Sequence, residues 1–328
     1  MLDEHFPIYA LCFVLTFILT VLTERALIPA LKREAKQPIY EGGPAWHKSK
    51  QGTPTMGGLA FLFGVTLSLL LFSLFLFLEG LKKEAVSLLI CLGFSFLNSC
   101  VGIFDDAVKL KKKENAGLKP YQKIILQSVI AVLFLYMFHE LVGNDTAIST
   151  SFGEIDLGVL YYPMSFIILL GITNCANLTD GIDGLASGVS FAVFISCFYL
   201  SCALSVEASL FSSAMIGASI GFLFFNIHPA KIFMGDTGSL FLGSAAACVV
   251  FTLDNPLIIV IVGCVYVIEG ISVILQVLCY KLTGKRIFKM APLHHHLEKC
   301  GWSENRICIS AILLTLLTSL ITYVLYLP

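Results

Sequence analysis

Ten apolar stretches, each near the length of a membrane-crossing helix, follow one another along this chain. They cover about 8–30, 56–78, 85–104, 121–141, 161–177, 185–204, 208–226, 237–254, 256–280 and 307–327. A helix needs roughly 20 mostly apolar residues to span the hydrocarbon layer. Only 13% of the residues are charged, against about a quarter in soluble domains. The chain therefore reads as an all-α integral membrane protein of about ten transmembrane helices, with residues 1–328 forming a single polytopic domain. The first stretch follows Asp3 and Glu4, and no small-residue cleavage site closes it. It reads as a retained helix and not as a signal peptide.

The basic residues orient this bundle. With ten spans, the loops at about 31–55, 105–123, 174–184, 227–236 and 281–306 share a side. Of the 21 basic residues, only Lys82 and Lys83 fall on the other side. Loops rich in Lys and Arg stay in the cytoplasm, so these five loops are expected there and both termini outside. The 11 cysteines are scattered through apolar segments without paired spacing, and read as small buried hydrophobes. Between Asp145 and Tyr162, alternating residues punctuated by Gly153 and Gly158 suggest a short external β-hairpin. No internal repeat is visible, and polar residues gather at helix ends, which argues against a transporter with a mid-membrane path. No nucleic-acid partner is expected.

Five clusters in the basic loops could carry chemistry. GTPTMGG, Gly52 to Gly58, lies just before the second stretch, preceded by His47, Lys48 and Lys50. Its glycines allow close backbone approach and its amides and lysines suit an anion; the alternative is a turn capped by Thr53 or Thr55. Phe104-Asp105-Asp106 ends the third stretch, and six lysines follow between 109 and 123, Lys113 and Lys123 among them. Adjacent carboxylates at a membrane edge invite a divalent cation, unless this is only a solvated helix end. NLTDGIDG, Asn177 to Gly184, sets Asp180 and Asp183 between very apolar helices, with Asn174 one turn earlier. Capping of the next helix would explain Asp183 but not Asp180 as well.

The fourth cluster runs from Phe225-Asn226 through Phe233 to Ser239, FMGDTGS. Asp236 there precedes a helix start, where the dipole keeps a carboxylate ionised and open to a metal, unless it merely caps that helix. The fifth is APLHHHLE, Ala291 to Glu298, with His294, His295 and His296 consecutive. Adjacent side chains do not converge easily on one ion, so phosphate contacts or structural hydrogen bonds are expected over zinc. Glu269 stands apart in the middle of the ninth stretch. A carboxylate at that depth normally faces the bundle interior, and no catalytic role is assigned to it.

In this order, and on one side of ten spans, GTPTMGG, FDD, NLTDGIDG, FMGDTGS and APLHHHLE resemble the polyprenyl-phosphate N-acetylhexosamine-1-phosphate transferases. The likeness runs from about His47 to Arg306, and Cys175 and Ala176 before Asn177 are minor departures. The histidine run resembles the members that act on UDP-MurNAc-pentapeptide more than those that move phospho-GlcNAc. The resemblance implies transfer of phospho-MurNAc-pentapeptide to undecaprenyl phosphate, giving lipid I and UMP in cell-wall synthesis. It also implies a magnesium cofactor, a homodimer in the bacterial cytoplasmic membrane and a site open to the cytoplasm and the inner leaflet. By resemblance Asp236 is the metal ligand, and Asp105 and Asp106 lie near the acceptor phosphate, with one of them a candidate base. Phe233 would stack on uracil, with Lys50, Asn177, Asp180 and Asp183 around the nucleoside. Asn174 and His294–His296 would line the phosphate and sugar path, and Thr55, Lys113, Lys123 and Asn226 complete the expected substrate contacts. Direct attack by the lipid phosphate and a covalent enzyme intermediate on an Asp both remain open.

Overall fold

A computed structural model describes residues 2–34, 50, 52–112, 117–143, 146–150, 153–202 and 204–326. Lys113, His47 and Lys48 lie outside the described residues. Helices dominate in the order α1 (Leu2–Glu34), α2 (Gly58–Leu78), α3 (Lys82–Lys112), α4 (Pro120–Met137), α5 (Tyr161–Thr179), α6 (Leu185–Ser201), α7 (Val206–Asn226) and α8 (Gly235–Val249). Next come α9 (Ile258–Val262), α10 (Cys264–Thr283), α11 (Leu293–Lys299) and α12 (Glu304–Tyr326). Nine of the described helices are long and apolar enough to cross a membrane, and α6, at 17 residues, is a shorter apolar helix.

One expectation is corrected. The stretch at 256–280 is not one continuous span. It divides at Gly263 into the short α9 and the long α10. Glycine is a weak helix former, and here the backbone turns through φ −91° and ψ 26°.

Packing is tightest around α8, whose segment is 83% buried. Its sequence is rich in small residues, from Gly238 and Ser239 to Gly243, Ser244 and Ala245. In a bilayer, small residues drive association by letting backbones meet. A Cβ at Gly58 of α2 would lie 2.3 Å from Gly238 Cα, and one at Gly243 would lie 2.7 Å from the Ala176 Cβ of α5. The outer helices behave oppositely. Leu126, Val129 and Val132 of α4 and Ile271, Ile274 and Leu278 of α10 are exposed, as lipid-facing side chains must be.

The expected hairpin is present. β1 (Ala147–Thr150) pairs antiparallel with β2 (Gly153–Asp156), Ile148 opposite Ile155. Asn255 Nδ2 ties it to the far end of α8 through the Ser149 carbonyl at 2.6 Å. At the opposite end of α8, the connections that carry the sequence clusters meet.

Candidate active site

Two α3 residues one turn apart organise the start of α8. Gly102 has no side chain, so α3 approaches until a Cβ there would lie 2.2 Å from the Asp236 carbonyl oxygen. Asp106, on the same face, then reaches the free amides of the α8 N-terminus. Its Oδ1 accepts from Asp236 N at 3.1 Å, and its Oδ2 accepts from Thr237 N at 2.9 Å and Thr237 Oγ1 at 2.7 Å. The cap of α8 thus comes from another helix, and Asp236 is released from that task. Gly235 makes the entry possible with φ +70°, where a side chain would be strained.

Asp105, Asp106 and Asp236 bring carboxylate oxygens within 4.8 Å of one another. Two ammonium groups lie between them. Lys109 Nζ is 3.0 Å from Asp236 Oδ1 and 3.8 Å from Asp106 Oδ1. It is also 2.7 Å from Asp105 Oδ2, although out of hydrogen-bonding line. Lys123, from the first turn of α4, is 3.1 Å from Asp105 Oδ1 and makes a very short contact with Asp236 Oδ2. The α3–α4 loop seals Asp105 by donating Leu118 N to its Oδ1 at 2.7 Å. Only Asp236 opens appreciably to the surroundings, at 16% exposure against 1% and 3%. Three carboxylates against two ammoniums leave one negative charge. An all-oxygen, carboxylate-rich group of this kind suits a hard divalent cation.

The loop between α5 and α6 closes one side of this cluster. Enclosure, together with the charges of Asp236 and Asp106, pushes the Asp180 carboxyl up to about 8. Asn177 Nδ2 donates to Ser239 Oγ of α8 at 2.7 Å, and Asn174 Nδ2 donates to Gln127 Oε1 of α4 at 2.9 Å. Asn226, fully buried, accepts from Gly184 N and Ser187 Oγ and donates to the Ile232 carbonyl. It stitches the loop to the FMGDTGS segment. Phe233 is partly buried, and its backbone pairs with Pro54 and Gly57 of GTPTMGG at 2.8 and 2.9 Å. Thr55, buried, faces Gly235 there; it does not cap α2, whose first turn takes no side-chain cap.

A second charged group lies on the other side of the loop. Lys50 Nζ bridges Asp183 Oδ1 at 2.8 Å and Glu304 Oε2 at 2.7 Å. Asp183 Oδ2 is 3.0 Å from both His228 Nδ1 and Ala230 N. Asp183 is committed to these partners, and α6 is entered from Gly184 without a side-chain cap. Charge-assisted bonds of this kind are short and directional, so Lys50 links GTPTMGG, the α5–α6 loop and α12.

The three histidines diverge. His294, fully buried, brings Nδ1 within 3.2 Å of Glu269 Oε2. His295 pairs with Glu298 at 2.6 Å. His296 turns back to accept from Lys289 N at 3.1 Å and packs on Phe288. No ion could gather all three, as adjacency in sequence implied.

Thus Asp105, Asp106, Lys123 and Asp236 form one group, Lys50 and Asp183 a second, and Asn174, Asn177 and Asp180 adjoin the first. Sequence reasoning did not single out Lys109, Gln127, His228 or Glu304. Lys109 was legible in principle, four residues beyond Asp105 and so on its face of the helix. Glu304 carried no local signal.

Comparison with known proteins identifies the family. Residues 87–254 match the family model of glycosyl transferase family 4, and residues 50–62 match phospho-N-acetylmuramoyl-pentapeptide-transferase signature 1. The chain is 42% identical over 303 residues to the phospho-N-acetylmuramoyl-pentapeptide-transferase of Halalkalibacterium halodurans, covering 92% of each chain. It is 42% identical to that of Clostridium perfringens SM101, over 92% of this chain and 91% of the relative. The enzyme of Thermoanaerobacter sp. X514 is 40% identical over 94% of this chain and 96% of its own. Similarity this high along nearly the whole length shows that the chain belongs to glycosyl transferase family 4, among the phospho-N-acetylmuramoyl-pentapeptide-transferases.

Proposed function

We propose that the protein transfers phospho-MurNAc-pentapeptide from UDP-MurNAc-pentapeptide to undecaprenyl phosphate, releasing UMP and forming lipid I. The observation that carries this reading is the Asp105–Asp106–Asp236 group with Lys109 and Lys123 set between its carboxylates. Both substrates bring phosphate charge to one place, and such a transfer depends on positioning and charge stabilisation. Magnesium is the proposed cofactor; held chiefly by Asp236, the most open carboxylate of the group, it would screen the phosphates and stabilise the leaving UMP.

The protein's own groups divide the remaining work. Lys109 and Lys123 supply mobile positive charge beside Asp236 and are placed to take phosphate oxygens. Lys50, Asn177, Asp180, Asp183 and Phe233 are proposed to receive the nucleoside, with Lys113 as a further phosphate contact. A phosphate monoester has a second pKa of about 6, so the acceptor is largely dianionic near neutrality. Asp106 spends both oxygens on the α8 amides, and Asp105 is sealed beneath Leu118. Both facts favour direct attack by the lipid phosphate over an Asp nucleophile. The basic-loop asymmetry supports a cytoplasmic site in the bacterial inner membrane, and the working unit is proposed to be a homodimer.

The test is to offer the purified protein UDP-MurNAc-pentapeptide or UDP-GlcNAc with undecaprenyl phosphate, and to follow UMP and the lipid product. Lipid product from the MurNAc donor supports the reading, and exclusive use of UDP-GlcNAc overturns it. Asp236→Asn should lose UMP release while keeping its melting temperature in detergent. Near-normal turnover in that variant would remove Asp236 from the metal site.

A further inference from the structure

We propose that Glu269 is a positioning residue of this reaction: it holds His294 as one tautomer, and through that ring it sets the Asp180–Asp183 loop against the start of α8. This rests on the transferase reading above. Glu269 is 5% exposed and lies within α10, a costly place for a carboxylate. Its partners account for it. His294 N donates to Oε1 at 3.2 Å and to Oε2 at 3.3 Å, and His294 Nδ1 is 3.2 Å from Oε2. The carboxylate thus receives the first turn of α11 and its imidazole together.

A carboxylate can only accept, so Nδ1 carries the proton. Nε2 is then the free end of the ring. It is buried and has no hydrogen-bond partner among the described residues. What it meets is Gly181: a Cβ on that residue would lie 2.1 Å from Nε2 and 2.7 Å from Cε1. The hydrogen that takes the place of that Cβ points at the nitrogen. A bare lone pair accepts such a C–H weakly, whereas a second N–H would be buried facing carbon. The neutral Nδ1–H ring is therefore the form this contact selects.

Three separate elements meet at this point: Glu269 of α10, His294 of α11 and Gly181 between Asp180 and Asp183. Asp180 faces the charges of Asp106 and Asp236, and Asp183 is bound to Lys50 and Glu304's partner His228. A shift of Gly181 would move both carboxylates. The geometry makes the imidazole a spacer between the Glu269 side chain of α10 and the substrate loop. It also explains why the first histidine of the run is the one that is fully buried, while its two neighbours are partly open.

The test uses the full protein in detergent, 15N-labelled on histidine, with His294 assigned by His294→Gln. Wild-type protein should show the Nδ1–H tautomer at His294, and the Nε2–H form would overturn the proposal. Glu269→Gln keeps an acceptor and should retain the tautomer and turnover within about threefold. Glu269→Leu should change the tautomer, lower kcat by about 10- to 100-fold and raise the KM for the UDP donor, with the melting temperature changing far less. Gly181→Ala should displace the ring, and its effect on kcat should be non-additive with that of Glu269→Leu. An unchanged tautomer in the leucine variant, unchanged kcat, or additive losses would each overturn the proposal. Turnover of the wild-type protein, measured alongside, separates this outcome from failure of the transferase reading. Should Glu269→Leu not fold, the wild-type tautomer and the displacement of the ring by Gly181→Ala still decide.

Discussion

Gly102→Ala should disable the enzyme while leaving it folded, although the change adds one methyl group to a residue with no chemistry of its own. The new Cβ would lie 2.2 Å from the Asp236 carbonyl oxygen, 2.5 Å from its carbon and 2.6 Å from Thr237 N. Real Cβ contacts begin at 3.0 Å, so α3 and the α8 N-terminus must part by about 0.8 Å. All three obstructing atoms are backbone, and no side-chain rotation relieves them. Asp106 sits one turn further along the same face, so the separation also stretches its bonds to Asp236 N and Thr237 N, now 3.1 and 2.9 Å. A misplacement of about 1 Å can cost roughly 100-fold in rate, so a loss of about 30- to 100-fold is expected, equivalent to about 2–3 kcal/mol of barrier. Overpacking costs about 1–3 kcal/mol of stability, but alanine is favoured over glycine in a helix by about 1 kcal/mol, which offsets part of it. The expected signature is therefore a large fall in UMP release with a small shift in melting temperature. Turnover within about threefold of wild type would refute the argument that backbone approach at Gly102 sets Asp236.

Other perturbations separate the roles of neighbouring charges. Lys109→Met removes an ammonium 3.0 Å from Asp236 Oδ1. It should tighten Mn2+ binding, read by electron paramagnetic resonance of the free ion, by about tenfold while lowering turnover; weaker Mn2+ binding would mean that Lys109 does not compete for the carboxylates. Asp180→Asn tests the raised carboxyl. A group whose folded pKa is raised from an ordinary value near 4 to about 8 loses its stabilising contribution as pH rises across that window. The asparagine variant should therefore melt above wild type at pH 8 and lie closest to it near pH 4, with reduced turnover throughout; parallel melting curves across pH 4–8.5 would count against the shift.

The helical bundle was legible because its signals are local. Length and apolarity identify a span, and Lys and Arg counts distinguish the two sides. The break at Gly263 was not legible, since Ile258–Val262 and Cys264–Thr283 are equally apolar and one glycine inside a helix is often tolerated. The candidate site divides in the same way. Asp105, Asp106 and Asp236 stand out as carboxylates at membrane edges. Their division of labour did not, because the rival N-cap readings for Asp183 and Asp236 rest on sequence proximity. The cap of α8 comes from Asp106, 131 residues before Thr237, and Asn226 serves the start of α6 from α7. Lys109 was hidden among equivalent lysines until α3 proved helical as far as Lys112. Glu304 is polar like any first-turn residue, and its contacts with Lys50 at 2.7 Å and with Asp183 N at 2.9 Å distinguish it.

The placement of the lysines follows from one electrostatic constraint. Three carboxylates within 4.8 Å repel one another and would also repel the phosphates the proposed reaction must bring in. Fixed cations would solve the first problem but would hold the phosphates too firmly or exclude a metal. Lys109 and Lys123 are on flexible stems, are 23% and 19% exposed, and each touches both Asp105 and Asp236. Each can therefore exchange a carboxylate oxygen for a phosphate oxygen with only a side-chain rotation. Arginine would be the poorer choice here, because its planar fork favours a fixed bidentate pair over a movable point charge. The two stems also leave from different helices, α3 and α4, so they approach Asp236 from two directions. Under the proposed reaction, Asp236 would hold the cation while Lys109 and Lys123 turn from it to phosphate, so the carboxylate would keep a positive partner throughout. The Lys109→Met measurement tests that coupling, since in this scheme tighter cation binding and slower turnover must appear together.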